Sequence, residues 1–474
     1  MPTSTSSRPI DRPRVRRELR STLRLALPLI AAQLAAMGTS VVDALLSGHL
    51  GPHVQAAVTT GAGIWSLAIM AGIGVMMAVP PTVAQLDGAG RHQQVGAVLR
   101  QALWIALCLG IVLWLFVRHA EPLLDGIGVV PSLRHDVARF LGAIGWGAPA
   151  LVGYFALRGL SEGLSLTRPS MIFSLGGLVV LAPLGYVLMY GKLGVPPLGA
   201  LGSGIATAAV LWLEFIGFAV YVLLHPDYRG LGLLDRFDWP RPKVIGELLH
   251  IGLPMAVTIL MEGGLFVAVA LAMATLGVVP TAAHQIALNV AAVAFMVPLG
   301  LAMAVTIRVG NAAGRRDASA VRYAGFCGIA LTLATQVVSS TLMLALPHAI
   351  AGLYTPDAAV VALAAQLLVL AGIFQFSDGI QAVSNGALRG LKDTRVPMLI
   401  TAFAYWGVGM PIGWWLAFPR GLGARGMWVG LIAGLSMAAV LLFARFWRTA
   451  RSERWRRHLP EDEPVVPPTP GLMT

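Results

Sequence analysis

The sequence predicts an all-α polytopic membrane protein with twelve transmembrane helices in two six-helix bundles related by a pseudo-twofold axis. Hydrophobic residues make up 57% of the 474 residues and charged residues only 12%, whereas a soluble protein carries about 25% charged residues. The mean hydropathy is +0.75. The apolar residues form runs of about 20, the length that crosses a bilayer as a helix. A pattern in the first half of the chain also returns in the second half.

Twelve apolar runs are the predicted spans. The first run is too long for the apolar region of a signal peptide and contains Asp43, so we expect it to be a span. The boundary between the seventh and eighth runs, near Gly277, is the least sharply defined. The runs cover residues 25–47, 55–80, 97–118, 138–157, 170–190, 200–224, 247–274, 282–307, 322–347, 360–386, 397–418 and 425–447.

The basic residues predict the orientation. If the N-terminus is cytoplasmic, 28 of the 34 Lys and Arg residues fall in the two tails and the inner loops. This asymmetry is the positive-inside rule, so we expect a multi-pass protein of the cytoplasmic (inner) membrane with both termini in the cytoplasm. The net charge of +12 then requires no nucleic-acid partner. Contact of the basic segments with anionic membrane lipids is expected.

An internal repeat predicts two lobes of the same orientation. At an offset of 226, Pro28 matches Pro254 and Gly88 matches Gly314, and near offset 227 Gly163 matches Gly390. Parallel repeats of this kind place substrate at the interface between the halves. The predicted organisation is a basic cytoplasmic tail (1–22), an N-lobe (23–225), a cytoplasmic linker (226–246), a C-lobe (247–450) and a disordered cytoplasmic tail (451–474).

Three carboxylates lie inside apolar runs: Asp43, Glu262 and Asp378. An ionised acid at membrane depth costs about 2.5–3.5 kcal/mol, and such residues commonly line an ion or substrate pathway. A rise of about 1.5 Å per residue puts Glu262 and Asp378 near the midplane, where they can share one cavity, and Asp43 about 10 Å farther out. The alternative role is packing, with a protonated acid bonded to a neighbouring helix. Glu214, inside the sixth run, is a fourth buried acid whose role stays open.

Carboxylates in a shared cavity attract organic cations, Na⁺ and protons, which predicts an antiporter in which cargo and coupling ion compete for one site. Aromatic rings can stack on a flat cation, and amides inside a bundle either bind cargo or join helices. The further candidate contacts are Phe266, Gln285, Asn289, Phe374, Gln381 and Tyr405.

Several other classes of protein are disfavoured. The sequence has no Walker-type phosphate loop and no His/Cys/Asp metal spacing, so we expect neither an enzyme nor a cofactor beyond the coupling ion. Cys108 and Cys327 show no pairing pattern. The alternatives within transport are an exporter of an endogenous metabolite and a flippase for lipid-linked precursors. A flippase needs a basic central cavity, whereas the expected charges within the spans are acidic.

Several motifs resemble the multidrug and toxic compound extrusion (MATE) family, NorM-type branch, over residues 22–450. They are Val42-Asp43 with Gly48-x-Leu50-Gly51, Gly252-Leu253-Pro254 leading to Glu262, Ala282-Ala283-His284-Gln285, Arg308-Val309-Gly310-Asn311, and Asp378-x2-Gln381 with Arg389-Gly390.

The resemblance implies that Asp43, Glu262 and Asp378 handle cation and substrate, with contacts from Phe266 and Gln285. It implies export of small cationic molecules in exchange for H⁺ or Na⁺. If the ion is Na⁺, Glu262 and Asp378 would hold it. We expect a monomer.

Phe374 departs from the family pattern, because a tyrosine is usual at this position. The absence of the tyrosine removes a hydroxyl from the implied ion site.

Overall fold

The structure is a computed structural model that describes residues 12–126, 129–233, 238–452 and 455–456. Twelve helices in this described part are long and apolar enough to cross a membrane, which confirms the predicted number of spans. They are α1 (Arg12–Leu50), α2 (Pro52–Gly88), α3 (His92–Arg118), α4 (Pro131–Gly163), α5 (Arg168–Tyr190), α6 (Ala200–Leu224), α7 (Pro242–Leu276), α8 (Val278–Gly314), α9 (Ala318–Ala345), α10 (Ala358–Gly390), α11 (Arg395–Ala417) and α12 (Ala424–Ser452).

Three of the spans, α2, α4 and α11, are not continuous α-helix. α2 is interrupted at Met77 and Ala78 and resumes at Val79, because Pro80 supplies no amide hydrogen for the helical ladder. α4 contains a short 3-10 segment at Gly145–Gly147. α11 contains a π-helical segment, Phe403–Gly409. Shorter helices, Glu121–Gly126 and Pro347–Gly352, follow α3 and α9 on the side opposite the termini.

The helices run beyond the apolar runs where the chain is polar. α1 begins at Arg12, inside the stretch predicted as a tail, and α7 begins at Pro242, inside the predicted linker. The seventh and eighth spans divide at Gly277, as the sequence predicts. The predicted disorder of residues 451–474 falls almost entirely outside the described residues.

The internal repeat is visible in the backbone. Gly51 and Gly277 precede α2 and α8 with φ of 117° and 115°. Ser165 and Lys392 adopt φ of 64° and 59° in the turns after α4 and α10, although left-handed backbone is unusual for such residues. The same rare conformations at equivalent positions reflect the repeat, which divides the spans into an N-lobe (α1–α6) and a C-lobe (α7–α12).

The lobes meet through reciprocal contacts. Gly88 of α2 lies against the backbone carbonyl of Asn311 in α8, and the equivalent Gly314 lies against the carbonyl of Gln85. A Cβ on either glycine would overlap that backbone, so these positions require glycine for the helices to approach. Gln85 also donates a hydrogen bond to the carbonyl of Gly390 at 2.8 Å.

These contacts lie at one end of the molecule. Chain direction places the start of α1 and the end of α12, and hence the ends of α2, α8 and α10, on the same side, here called the terminal end. Hydrogen bonds between the lobes at this end join Glu18 to Arg308 and Asp87 to Asn311. The lobes are therefore fastened together at the terminal end.

Candidate functional site

A cavity of about 530 Å³ lies between the lobes. Its wall comes from α1, α2 and α4 of the N-lobe and α7, α8 and α10 of the C-lobe. The volume suits a drug-sized molecule, since ligand pockets commonly measure about 300–1,000 Å³. Methionine side chains, which are flexible and polarisable, make up part of the wall. They are Met70, Met76, Met77, Met255 and Met303.

Glu262 lies on this wall, one helical turn from Phe266 along α7. Among the described residues, no side chain donates a hydrogen bond to the Glu262 carboxylate. Phe266 also lines the cavity, and its ring meets Phe374 edge-on at a centroid distance of 6.5 Å. The cavity thus offers an acid and an aromatic face to the same ligand.

Asp378 lies behind this wall. Its side chain is buried and does not line the cavity, but its carboxylate is close enough to Glu262 for the two to interact electrostatically. Tyr405 is also buried, and its hydroxyl lies close enough to Glu262 and Asp378 to interact with both electrostatically. Tyr405 therefore supplies, in the same region, a hydroxyl that Phe374 lacks. Gln381, one turn from Asp378 on α10, does line the cavity.

Other predicted site residues lie elsewhere. Asp43 accepts a hydrogen bond from Ser203 Oγ at 3.1 Å, between α1 and α6, and is not part of the cavity wall. Gln285 donates to Asn289 at 3.4 Å along α8, and neither residue lines the cavity. Glu214 packs against Gly177 of α5, inside the N-lobe.

Two buried arginines were missed as cavity residues. Arg158 of α4 donates from Nε to Glu162 Oε1 at 2.6 Å and from Nη2 to Gln33 Oε1 at 2.9 Å. All three side chains line the cavity, as does Arg389 at the end of α10. Sequence reasoning assigned both arginines to inner loops, but they belong to helices that extend past the apolar runs.

The acids inside the apolar runs are therefore not the only charges that face the cavity. The cavity wall carries two acids, Glu162 and Glu262, and two arginines, Arg158 and Arg389. A helical spacing in the sequence could have identified the second arginine. Gln381, Asn385 and Arg389 recur every four residues, which puts them on one face of a helix, and all three line the cavity.

Comparison with known proteins gives a consistent result. The MatE family model matches residues 28–187 and 254–415. A probable multidrug resistance protein NorM from Xanthomonas campestris pv. campestris is 47% identical over 94% of this chain and 97% of its own length. The multidrug resistance protein PmpM of Pseudomonas aeruginosa is 42% identical over 92% of this chain and 93% of its own.

The fold matches solved transporters as well. The crystal structure of the eukaryotic MATE transporter AtDTX14 superposes with a TM-score of 0.85 at 20% identity, covering 94% of this chain and 100% of that one. At this identity the likeness concerns the fold alone. The two matched segments of the family model correspond to the two lobes.

Proposed function

The chain belongs to the MatE family, and from this premise we propose that it is a multidrug efflux transporter that exports amphipathic organic cations in exchange for H⁺ or Na⁺. The observation that carries the proposal is Glu262, a carboxylate without a hydrogen-bond donor among the described side chains, on the wall of the cavity between the lobes. A cationic ligand in this cavity would gain an opposite charge at low dielectric, where electrostatic attraction is strong.

Coupling follows from competition for the paired acids. Two carboxylates close together disfavour full ionisation of both, so one of them readily takes up a proton or shares a metal cation. When the coupling ion binds Glu262 and Asp378, the charge that holds the cargo is neutralised and the cargo leaves. If the coupling ion is Na⁺, these two acids are its ligands. Asp43 provides a separate cation or proton site in the N-lobe.

Alternating access of the two lobes would carry the cargo across. The contacts between the lobes at the terminal end support a state that is closed on that side. By the positive-inside rule that side is the cytoplasm, so the closed end faces inward and cargo is released outward. Rocking of the lobes then requires these contacts to break and re-form.

The proposed location is the inner membrane, where the protein acts as a monomer in contact with lipid and without a further cofactor.

The relatives' names support the class of cargo. Both curated relatives described above are named multidrug resistance proteins. The cavity is lined by flexible methionines and by the rings of Phe155, Phe266 and Phe295, and it contains the acid Glu262. Such a lining suits varied flat cations better than one defined metabolite.

A second candidate is favoured by one observation. Arg389 brings a guanidinium to the cavity, as a carrier of anionic or lipid-linked cargo would require. The four charged groups of the wall sum to zero, however, and Arg158 is already bonded to Glu162. The cavity therefore lacks the excess of basic groups that phosphate cargo needs, which favours cation export.

Transport by purified protein in proteoliposomes tests the proposal. Efflux of a fluorescent organic cation should follow an imposed H⁺ or Na⁺ gradient, with the two gradients applied separately. Asp378→Asn and Glu262→Gln should each slow efflux about tenfold or more, since each removes a charge that binds the ion or the cargo.

Asp393→Asn is the matched control. Asp393 is bonded to Arg445 at 2.9 Å outside the cavity, so this variant should transport normally. Wild-type efflux by Asp378→Asn would refute the mechanism, and preferential transport of an anionic phosphate ester would support the second candidate.

A further inference from the structure

The charges on the cavity wall are unequally partnered. Four charged side chains line the cavity, and two of them, Arg158 and Glu162, form an ion pair at 2.6 Å. The remaining two, Glu262 and Arg389, have opposite signs and face the same space without a hydrogen bond between them. They are close enough to interact electrostatically. The cavity thus contains one loosely partnered acid and one loosely partnered cation.

The surroundings of Arg389 offer its guanidinium few hydrogen-bond acceptors. The residue is 9% exposed, so water satisfies little of it. In the described part of the chain, its hydrogen-bond acceptor is the Met77 sulfur, at 3.8 Å from Nη1, and Nε has no partner. A thioether is a weak acceptor. A buried cation in this position is drawn toward any carboxylate within reach.

The backbone at Arg389 is anchored, whereas its guanidinium is held only by the weak contact with the Met77 sulfur among the described residues. The neighbouring Gly390 accepts a hydrogen bond from Gln85 of the N-lobe, which anchors the end of α10. Arg389 shares one face of α10 with Gln381 and Asn385, and this face borders the cavity. A change in side-chain rotamer is therefore sufficient to reposition the guanidinium, with the helix held in place.

We propose that Arg389 is a tethered cation that competes with cargo for Glu262. With the cavity empty, the guanidinium partly neutralises the acid. A cationic cargo must displace that interaction, so Arg389 lowers cargo affinity and makes release easier after the coupling ion binds. This inference rests on the proposed export of organic cations and assigns a specificity role to a residue outside the three predicted acids.

Binding of tetraphenylphosphonium to the purified full chain tests the inference. This probe is a monovalent organic cation with no anionic group, so an arginine that binds the anionic part of a cargo contributes nothing to it. Two variants, Arg389→Gln and Arg389→Met, remove the charge with different side-chain shapes. We expect both to lower the Kd about tenfold, given the strength of charge interactions at an effective dielectric of about 20.

Three controls separate charge from structure. Arg389→Lys keeps the cation and should bind within about twofold of the wild type. Arg395→Gln removes an exposed arginine bonded to His250 outside the cavity and should leave the Kd unchanged. In a Glu262→Gln background, Arg389→Gln should have no effect, because the acid for which the two cations compete is gone.

The outcomes are distinguishable. An unchanged or higher Kd in both charge-removing variants overturns the inference while leaving cation export intact. A gain in affinity that persists in the Glu262→Gln background also overturns it, because Arg389 would then act through another group. Failure of the wild-type protein to bind the probe would instead refute the proposed function.

Discussion

Glu18 of α1 accepts two hydrogen bonds from Arg308 of α8, at 2.9 Å from Nε and 2.7 Å from Nη2. The two residues belong to different lobes, and the side chains are only 11% and 25% exposed. Arginine bound to a carboxylate through two nitrogens is among the stronger charged contacts, because both donors are satisfied in one geometry. This pair fastens the lobes at the terminal end.

Glu18→Gln should shift the protein away from the state closed at the terminal end. Loss of the charged contact should cost that state about 1.5 kcal/mol, which is about tenfold in the ratio of the two states. The measurement is the labelling rate of an Ile259→Cys reporter in the cavity by a membrane-impermeant maleimide added from the terminal side. Cys108→Ser and Cys327→Ser remove the native thiols.

Asp317→Asn provides the control for this prediction. Asp317 also bridges the lobes, to Arg14 at 3.3 Å, but the side chains are 42% and 38% exposed. An exposed pair of this kind contributes at most about 1 kcal/mol, and asparagine still caps the start of α9. Labelling should therefore stay near the wild-type rate. Equal labelling in all three proteins would mean that the Glu18 contact does not hold the lobes together.

The pair between Arg158 and Glu162 gives a prediction on stability. Arg158 is 3% exposed and Glu162 2%. Glu162→Gln leaves a buried guanidinium without its acid, and breaking such a pair costs about 3–5 kcal/mol. The variant should lose several degrees in Tm, measured by thermal unfolding in detergent. The double variant Arg158→Gln/Glu162→Gln should recover much of that loss, because neither member of the pair is then left charged without its partner.

Asp227→Asn is the comparison for this cycle. Asp227 interacts with His225 at the surface, and its side chain is 55% exposed. Its Tm should match that of the wild type. The cycle also needs the single variant Arg158→Gln. If the double variant loses as much Tm as Arg158→Gln and Glu162→Gln added together, the two residues do not act as a pair.

Most of the fold was predictable because each span is a long apolar segment. Insertion into a bilayer requires such segments whatever their neighbours are, so the twelve spans and their repeat can be read from local sequence. The polar ends of the helices could not be read in this way. α1 extends N-terminal to its apolar run, where Glu18 and Arg14 find partners in the other lobe, far along the chain.

The site was predictable in part for the same reason. Glu262 and Asp378 are conspicuous as acids in apolar runs, and the structure brings them together. Arg158 and Arg389 are inconspicuous, since arginines near the ends of spans are common and usually face water or lipid head groups. Only the packing of α4 and α10 among their neighbouring helices turns them toward the cavity, and this depends on contacts between distant segments.

The connection between the lobes gives a prediction on mobility. Asp238 is 5% exposed and accepts hydrogen bonds from Arg100 of α3 at 2.8 Å and from Arg241 at 2.7 Å. Gln101 adds a bond to the carbonyl of Trp239. The segment before α7 is thereby attached to the N-lobe.

Asp238→Ala should release this attachment, because it leaves the two arginines without their shared acid. We expect cleavage by trypsin between residues 229 and 243 to become at least severalfold faster in vesicles that expose the terminal end to the medium, since proteolysis follows the population of the opened segment. Asp227→Ala, near the same segment but exposed, should be cleaved at the wild-type rate. Unchanged cleavage in Asp238→Ala would show that the acid does not hold the segment.

Lys392, in the turn between α10 and α11, gives a prediction on pH. Burial of the ammonium group lowers the pKa of Lys392 to about 8, although nearby Glu247 opposes the shift. Below this pKa the folded protein must bury a charged lysine. Between pH 8 and the ordinary lysine pKa of 10.5, the unfolded chain binds more protons than the folded one, so stability gains with rising pH.

Lys392→Met removes this dependence while keeping a side chain of similar length at the same backbone position. The variant should have a higher Tm than the wild type at pH 6 to 7, and the difference should shrink as the pH rises through about 8 toward 10. Thermal unfolding in detergent across this range measures it. Lys243→Met, at the start of α7, is the control, because Lys243 is exposed and should give the same small difference at every pH. A Lys392→Met advantage that is constant from pH 6 to 10 would mean that its ionisation does not affect folding, since a buried charge that is lost by deprotonation cannot act equally on both sides of its pKa.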